Sequence, residues 1–121
     1  MSERLSAAQI ALLTAYAAAM VGGQYLFKLA AVRAPADAAL SERITGLINV
    51  YFVLAVILYA ALSLFWVWLL TFTPLSRAYP FVALAFALTP LLGIAVFGEP
   101  FSTRLAIGIA LILCGLLFVA G

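Results

Sequence analysis

The sequence predicts an all-α fold, an integral membrane bundle of four transmembrane helices. Of its 121 residues, 69% are hydrophobic and only 8% are charged, whereas water-soluble domains carry charge at about a quarter of their positions. The few charges also divide the chain into four uncharged runs. Each run is close to or above the roughly 20 residues that a helix needs to cross the hydrocarbon core. These runs cover residues 5–27, 44–76, 78–98 and 105–121.

The runs predict four helices within one domain that comprises residues 1–121. The second run is too long for one upright helix and too short for two helices with a turn, so we expect one tilted helix there. The first run exceeds a typical signal-peptide core, and we expect it to remain as a span. Short connections after the second and third helices imply antiparallel neighbours. The expected helices cover approximately residues 5–30, 44–72, 78–97 and 103–121.

A hydroxyl side chain stands shortly before each predicted helix. Serine and threonine side chains accept hydrogen bonds from the N–H groups at a helix start, so these residues are the expected N-caps. They are Ser2, Ser41, Ser76 and the pair Ser102–Thr103.

The first helix carries a polar face. Gln24 and Lys28 are four residues apart and share that face, with Met20 one turn earlier. A charge at the bilayer centre costs about 2.5–3.5 kcal/mol, so such residues usually face a cavity or a pathway. Lys28 alone is equally consistent with an ammonium that extends to the interface. Gln24 lies one turn deeper without that reach, and it favours a polar pathway.

Four further polar residues at helix ends are candidates for substrate binding: Arg77, Tyr79, Glu99 and Arg104. In isolation, Tyr79 is more consistent with an aromatic anchor at the membrane interface. On spacing alone, Glu99 is more consistent with a solvated loop carboxylate that pairs with Arg104.

The fourth helix repeats small residues at every fourth position, namely Ala106, Ala110 and Cys114. This spacing lets helix backbones approach closely in lipid, within one chain or between two. Lys and Arg number two on the side of the termini and four on the other. The positive-inside rule places the first loop in the cytoplasm, but the small difference leaves a dual orientation open. We therefore expect a homodimer, or a heterodimer with a related small subunit, in antiparallel arrangement.

Bulk features argue against other classes of function. The net charge is only +2, without the basic stripe that would bind nucleic acid. The chain has no histidine and one cysteine, Cys114, so we expect no metal, no cofactor and no internal disulfide. No nucleophile–base pair is evident, and an enzyme is not expected.

Several motifs, in this order and spacing, resemble the small four-helix members of the drug/metabolite transporter superfamily (EamA-like). Among these, the chain is most similar to the aminoarabinose–undecaprenyl-phosphate flippase subunits and more distantly similar to the small multidrug resistance proteins. The resemblance covers nearly the whole chain. It depends on the segments Gly23–Lys28 (GQYLFK), Pro74–Pro80 (PLSRAYP) and Gly98–Ser102 (GEPFS), with Gly108 and Gly115 in the fourth helix.

One position departs from the multidrug proteins. Their first helix carries a membrane-embedded glutamate that binds protons and cationic drugs in turn, and the aligned residue here is Met20. The resemblance therefore implies a multi-pass transporter or flippase subunit of the bacterial inner membrane, for a phosphate-containing, lipid-linked sugar or a related anionic headgroup. Gln24 and Lys28 suit such an anion. The alternatives are a small exporter of organic cations and a non-transporting subunit that scaffolds a glycosyltransferase.

Overall fold

Helices make up nearly all of the computed structural model, which describes residues 5–34, 37 and 39–120. The helices are α1 (Ala7–Val32), α2 (Leu40–Leu47), α3 (Val50–Leu70), α4 (Leu75–Ala78), α5 (Val82–Phe97) and α6 (Thr103–Ala120). A single 3₁₀ turn, Tyr79–Phe81, joins α4 to α5, so that Leu75–Phe97 forms one membrane-spanning segment. With α1, α3 and α6 this gives four helical segments long and apolar enough to cross a membrane, which confirms the predicted fold class.

The outer faces of the spans are apolar. Leu64 in α3 is 77% exposed and Phe118 in α6 is 87% exposed, and many other large apolar side chains are exposed on every span. Such a surface is unfavourable in water at about 25 cal/mol per Å², and it is the surface that lipid tails cover. The chain is a multi-pass membrane protein.

Hydrogen bonds at the helix ends show that α1 and α3 run antiparallel. At the start of α1, the Gln9 side chain donates to the Phe72 carbonyl (3.0 Å) and the Thr73 hydroxyl (3.1 Å), just beyond the end of α3. At the other end, the Asn49 amide donates to the carbonyl of Ala30 (3.0 Å). Between these two ties, α1 packs against both α3 and α5, and α6 packs mainly against α5.

The bundle has an apolar core at the end where α1 starts. Leu13, Leu69, Ala78 and Phe81 form a buried apolar cluster there. Next to it, Arg77 Nη1 donates to a carbonyl of the last turn of α6, at a distance of 2.6 Å. Cations near a helix C-terminus stabilise its carbonyl groups, so this contact fastens α6 to the start of the third span.

The second span differs from the prediction. A single tilted helix over 44–72 is wrong, because the structure has the short helix α2, a break at Ile48 and Asn49, and then α3. The Asn49 side chain accepts hydrogen bonds from the N–H groups of Tyr51 (3.1 Å) and Phe52 (3.2 Å). Asparagine is a strong N-cap, and it restarts the helix at this position.

Of the predicted N-caps, the structure confirms Ser102 and does not confirm Ser76. Ser102 accepts a hydrogen bond from the Leu105 N–H (3.1 Å), as expected for the fourth helix. Ser6 caps α1 in a reciprocal capping box with Gln9, and Ser2 lies outside the described residues. The third span begins after Pro74 instead of after Ser76, with Pro74 as the N-cap residue and no side-chain hydrogen bond at this cap.

Tyr59, in the middle of α3, is held against α1 by three contacts. Its hydroxyl accepts from Gln24 Nε2 (2.8 Å) and donates to the Met20 carbonyl (3.1 Å), and its ring stacks on Phe27 with centroids 5.2 Å apart. A glycine makes room for the ring, because a Cβ at position 23 would lie 2.6 Å from Tyr59 Cε2.

Gly23→Ala is therefore expected to lower the free energy of unfolding by about 1–3 kcal/mol, the usual cost of overpacking. The adjacent variant Gly22→Ala is the matched control, since a Cβ at position 22 meets no atom within 4 Å. It should be neutral or gain up to about 1 kcal/mol from helix propensity. Unfolding in mixed micelles by titration with sodium dodecyl sulfate measures both values. Equal stability of the two variants would contradict this account of the Tyr59 contact.

Candidate functional site

A cavity of about 300 Å³ lies between α1 and α5, towards the end of the bundle where α1 finishes. It combines polar side chains with an apolar wall. Its lining residues are Gln24, Phe27, Lys28, Thr89, Leu92, Gly93, Phe97 and Glu99.

An ion pair lies in this cavity. Lys28 Nζ is 3.4 Å from Glu99 Oε2, and each side chain is 45% exposed. The ammonium also lies 5.9 Å from the centre of the Phe97 ring, at the outer limit for a cation–π contact. The two charges therefore neutralise one another where α1 and α5 approach the membrane surface.

Two glycines bring Glu99 back over the end of α5. Gly98 ends α5 in the left-handed conformation, with a φ of 65°, which glycine adopts at little cost. The Glu99 N–H then donates to the carbonyl of Gly93 (3.2 Å). The Glu99 carboxylate occupies the space that a Cβ at position 93 would need. The chain thus directs the carboxylate to Lys28, and the expected pairing of Glu99 with Arg104 is wrong.

Gln24 connects this cavity to a second one, of about 330 Å³, that continues along the same two helices. Gln24 and Thr89 line both cavities, and Met20 lines the second. We call the two cavities together the α1–α5 groove. The predicted polar face of Gln24 and Lys28 therefore opens onto a groove between two spans. The second cavity is lined by Met20, Gln24, Ala85, Phe86, Thr89 and Pro90.

Thr89 and Tyr59 are polar residues of this region that the sequence analysis missed. Thr89 is the one hydroxyl residue within α5, and Pro90 beside it has no N–H to donate to the carbonyl of Phe86. Tyr59 lies in the middle of a span, although tyrosine in membrane proteins concentrates at the two interfaces. Both positions were therefore visible in the sequence as polar residues at an unusual depth.

The remaining predicted site residues lie apart from the groove. Arg77 binds the end of α6, and Tyr79 is 59% exposed with its ring edge-on to Trp66 (6.3 Å between centroids). Both are at the opposite end of the bundle from Lys28. Arg104 is exposed in the first turn of α6, at the same end as Lys28. The structure thus brings together Gln24, Lys28 and Glu99, and it leaves Arg77, Tyr79 and Arg104 outside this cluster.

Four apolar spans with a partly polar groove between two of them form the type of architecture that membrane carriers use. The model of the EamA-like transporter family matches residues 1–121, the full length of the chain. The chain belongs to the EamA-like transporter family, and it is a membrane transporter. No curated protein and no solved structure matches it significantly.

Gly93→Ala is expected to push the Glu99 carboxylate away from Lys28 without unfolding the protein, because Glu99 is flexible and half-exposed. Lys28 is the only lysine in the sequence, so acylation at this side chain is measured by peptide mass spectrometry without interference from other lysines. Its rate with a water-soluble reagent should rise by up to about fivefold, since an exposed pair contributes at most about 1 kcal/mol.

Gly108→Ala in α6 is the control for this measurement, because a Cβ there meets no atom within 4 Å. Glu99→Gln should raise the acylation rate as Gly93→Ala does. A rate that stays at the wild-type value in both variants would show that Glu99 does not shield Lys28.

Proposed function

We propose that this transporter moves a phosphate-containing, lipid-linked sugar, or a related anionic lipid headgroup, across the bacterial inner membrane as a transporter or flippase subunit. The observation that carries the proposal is a lysine at the mouth of a groove between two spans. Lys28 supplies a cation for the phosphate, and Gln24 supplies hydrogen-bonding capacity one turn deeper.

The groove suits a molecule with a charged head and an apolar tail. It lies between α1 and α5, and its walls include the apolar side chains of Phe27, Leu92 and Phe97. A headgroup at Lys28 would thus leave the tail in the hydrocarbon. The cavity of about 300 Å³ is at the small end of the range for small-molecule sites, which favours one headgroup over a large solute.

When a substrate binds, Lys28 would exchange its contact with Glu99 for a contact with the substrate phosphate. A phosphate beside Lys28 would stand next to the Glu99 carboxylate, and two anions at such short range repel strongly away from bulk water. The carboxylate must therefore move away when the substrate arrives. When the substrate leaves, Glu99 returns, so that Lys28 keeps a counter-ion in both states.

A specific observation also supports the export of organic cations as a second candidate function. No acidic residue lies within the four spans, but the fold places the Glu99 carboxylate in the groove. The rings of Tyr25 and Phe97 lie 5.8 Å apart beside it, and aromatic faces attract quaternary ammonium groups.

We further propose that the transporter works as an antiparallel pair, with a second copy or a related small subunit. Two observations support this arrangement. The described residues enclose the groove only in part, and a second unit would enclose it. In α6 only Ile109 is buried, which leaves Ala110 and Cys114 on a free face. Inverted pairs place a substrate site at their interface. Arg77, Tyr79 and Arg104 would contribute to the substrate path only in such a pair.

Lys28→Met should weaken the binding of undecaprenyl phosphate by about tenfold or more, because a hydrogen bond to a charged group is worth about 1.5–3 kcal/mol. Glu99→Gln should strengthen it, since the competing carboxylate is gone. Microscale thermophoresis of the purified protein measures both affinities, and Gly22→Ala is the control that leaves the groove intact. Binding of uncharged undecaprenol should not change in any variant.

Equal affinity of Lys28→Met and the wild-type protein for undecaprenyl phosphate contradicts the proposed site. Tetraphenylphosphonium tests the second candidate function in the same assay. Export of organic cations is favoured over the first proposal if this cation binds and Glu99→Gln abolishes its binding, while undecaprenyl phosphate does not bind.

Reporters fused to the C-terminus test the antiparallel pair. A reporter active only in the cytoplasm and one active only outside it should both give signals in the same strain, because the two sides differ by only two basic residues. A signal from one side alone, with no related subunit inserted in the opposite direction, contradicts this arrangement.

A further inference from the structure

The short helix α2 carries an apolar face that nothing in the described part of the chain covers. Leu40, Ile44 and Leu47 are spaced by four and three residues, and they are 71%, 53% and 44% exposed. At 100° per residue they fall within an arc of about 60° on one face of the helix. No residue of α2 is buried. This face therefore needs a partner outside the described residues.

The opposite face of α2 is polar. Ser41, Glu42 and Thr45 point away from the apolar arc, and the Thr45 hydroxyl donates to the Ser41 carbonyl (2.8 Å). Arg43 borders the apolar arc, where a long side chain extends from lipid to water. This division is typical of helices that lie in the plane of a membrane surface.

The position of α2 indicates what covers its apolar face. The helix ends at Leu47, and α3 starts three residues later at Val50. The first turn of α3 already exposes large apolar side chains, with Val50 63% and Val53 46% exposed. The hydrocarbon that covers α3 therefore begins beside the end of α2. Lipid is thus the apolar medium immediately available to Leu40, Ile44 and Leu47.

Asn49 fixes the corner between α2 and α3. Its side-chain amide donates to the carbonyl of Gly46 (3.2 Å), in α2, and to that of Ala30 (3.0 Å), in α1. Its oxygen caps α3 through Tyr51 and Phe52. One side chain thus ties three helices together at this end of the bundle, so the direction of α2 is set by specific hydrogen bonds.

Charge and aromatic residues at this corner also match a membrane surface. The Arg33 guanidinium stacks on the Tyr51 ring, 5.0 Å from its centroid. Tyrosine is enriched at the level of the lipid headgroups, and basic residues there are attracted to anionic lipids. Arg33 and Arg43 give this end of the protein two such groups.

We infer that α2 is an interfacial anchor, a helix that lies in the headgroup region with Leu40, Ile44 and Leu47 in the outer hydrocarbon. Through Asn49 and Ala30, the anchor holds the end of α1 at the membrane surface. Lys28 lies two residues before Ala30, so the anchor also sets the depth of the groove mouth. The inference does not depend on which substrate the groove binds.

Site-directed spin labelling of the full chain tests the anchor. Cys114 is the only cysteine in the sequence, so Cys114→Ser provides the background for Ile44→Cys and Thr45→Cys, each carrying one nitroxide. The probe is a vesicle of phosphatidylethanolamine and phosphatidylglycerol. Collision rates with oxygen, which concentrates in lipid, and with a water-soluble nickel chelate give the depth of each label. Leu64→Cys and Asp37→Cys are the lipid and water references, since both residues are exposed.

The label at position 44 should resemble the lipid reference, with oxygen collisions favoured several-fold over nickel. The label at position 45 should resemble the water reference, although it is only one residue away. Equal depths at the two positions would overturn the anchor. A label at position 44 that is protected from both reagents would also overturn it, because that result means that a second protein chain covers the face.

Discussion

Polar groups inside a membrane must find their partners within the protein, and this constraint governs the whole fold. Lipid tails offer no hydrogen bonds, so each unsatisfied polar group there costs several kcal/mol. Helices solve the problem for the backbone. The side chains solve it in pairs: Gln24 with the Tyr59 hydroxyl, and Lys28 with Glu99. The first pair links α1 to α3, and the second links α1 to the turn that ends α5, so satisfying the polar groups also determines which elements lie side by side.

Small residues make these pairs possible. Gly23 admits the Tyr59 ring, and Gly93 admits the Glu99 carboxylate. Tyr59 approaches Gly23 from a neighbouring helix, which is the usual reason for small residues at helix contacts in membranes, whereas Glu99 folds back onto Gly93 from the turn that ends the same helix. The polar pairs therefore depend on the two glycines, because a methyl group at position 23 or 93 would push the partners of the corresponding pair apart.

The four spans were predictable from the sequence, because charged residues are expelled from the hydrocarbon and so mark the ends of the spans. The exception is instructive. Asn49 is uncharged and did not interrupt the run 44–76, yet its side chain breaks the helix by capping α3. The face shared by Gln24 and Lys28 was likewise predictable from helical periodicity. Its partners were not, because Glu99 reaches Lys28 through the left-handed turn at Gly98, and local spacing favoured Arg104 instead.

The pair of Lys28 and Glu99 also explains how a transporter without an acid in its first helix keeps a charge near the hydrocarbon. An unpaired ammonium at this depth would favour an orientation or a depth of the protein in the membrane at which water solvates the charge. Glu99 removes that preference in the structure, and in the proposed function an anionic headgroup would replace Glu99 beside Lys28. The half-exposure of both side chains would make this proposed exchange accessible from the membrane surface. A fully buried pair would be held too firmly to exchange, since breaking one costs about 3–5 kcal/mol. The intermediate exposure of the pair is thus the property that would allow Lys28, in the proposed function, to serve both as a structural contact and as a binding group.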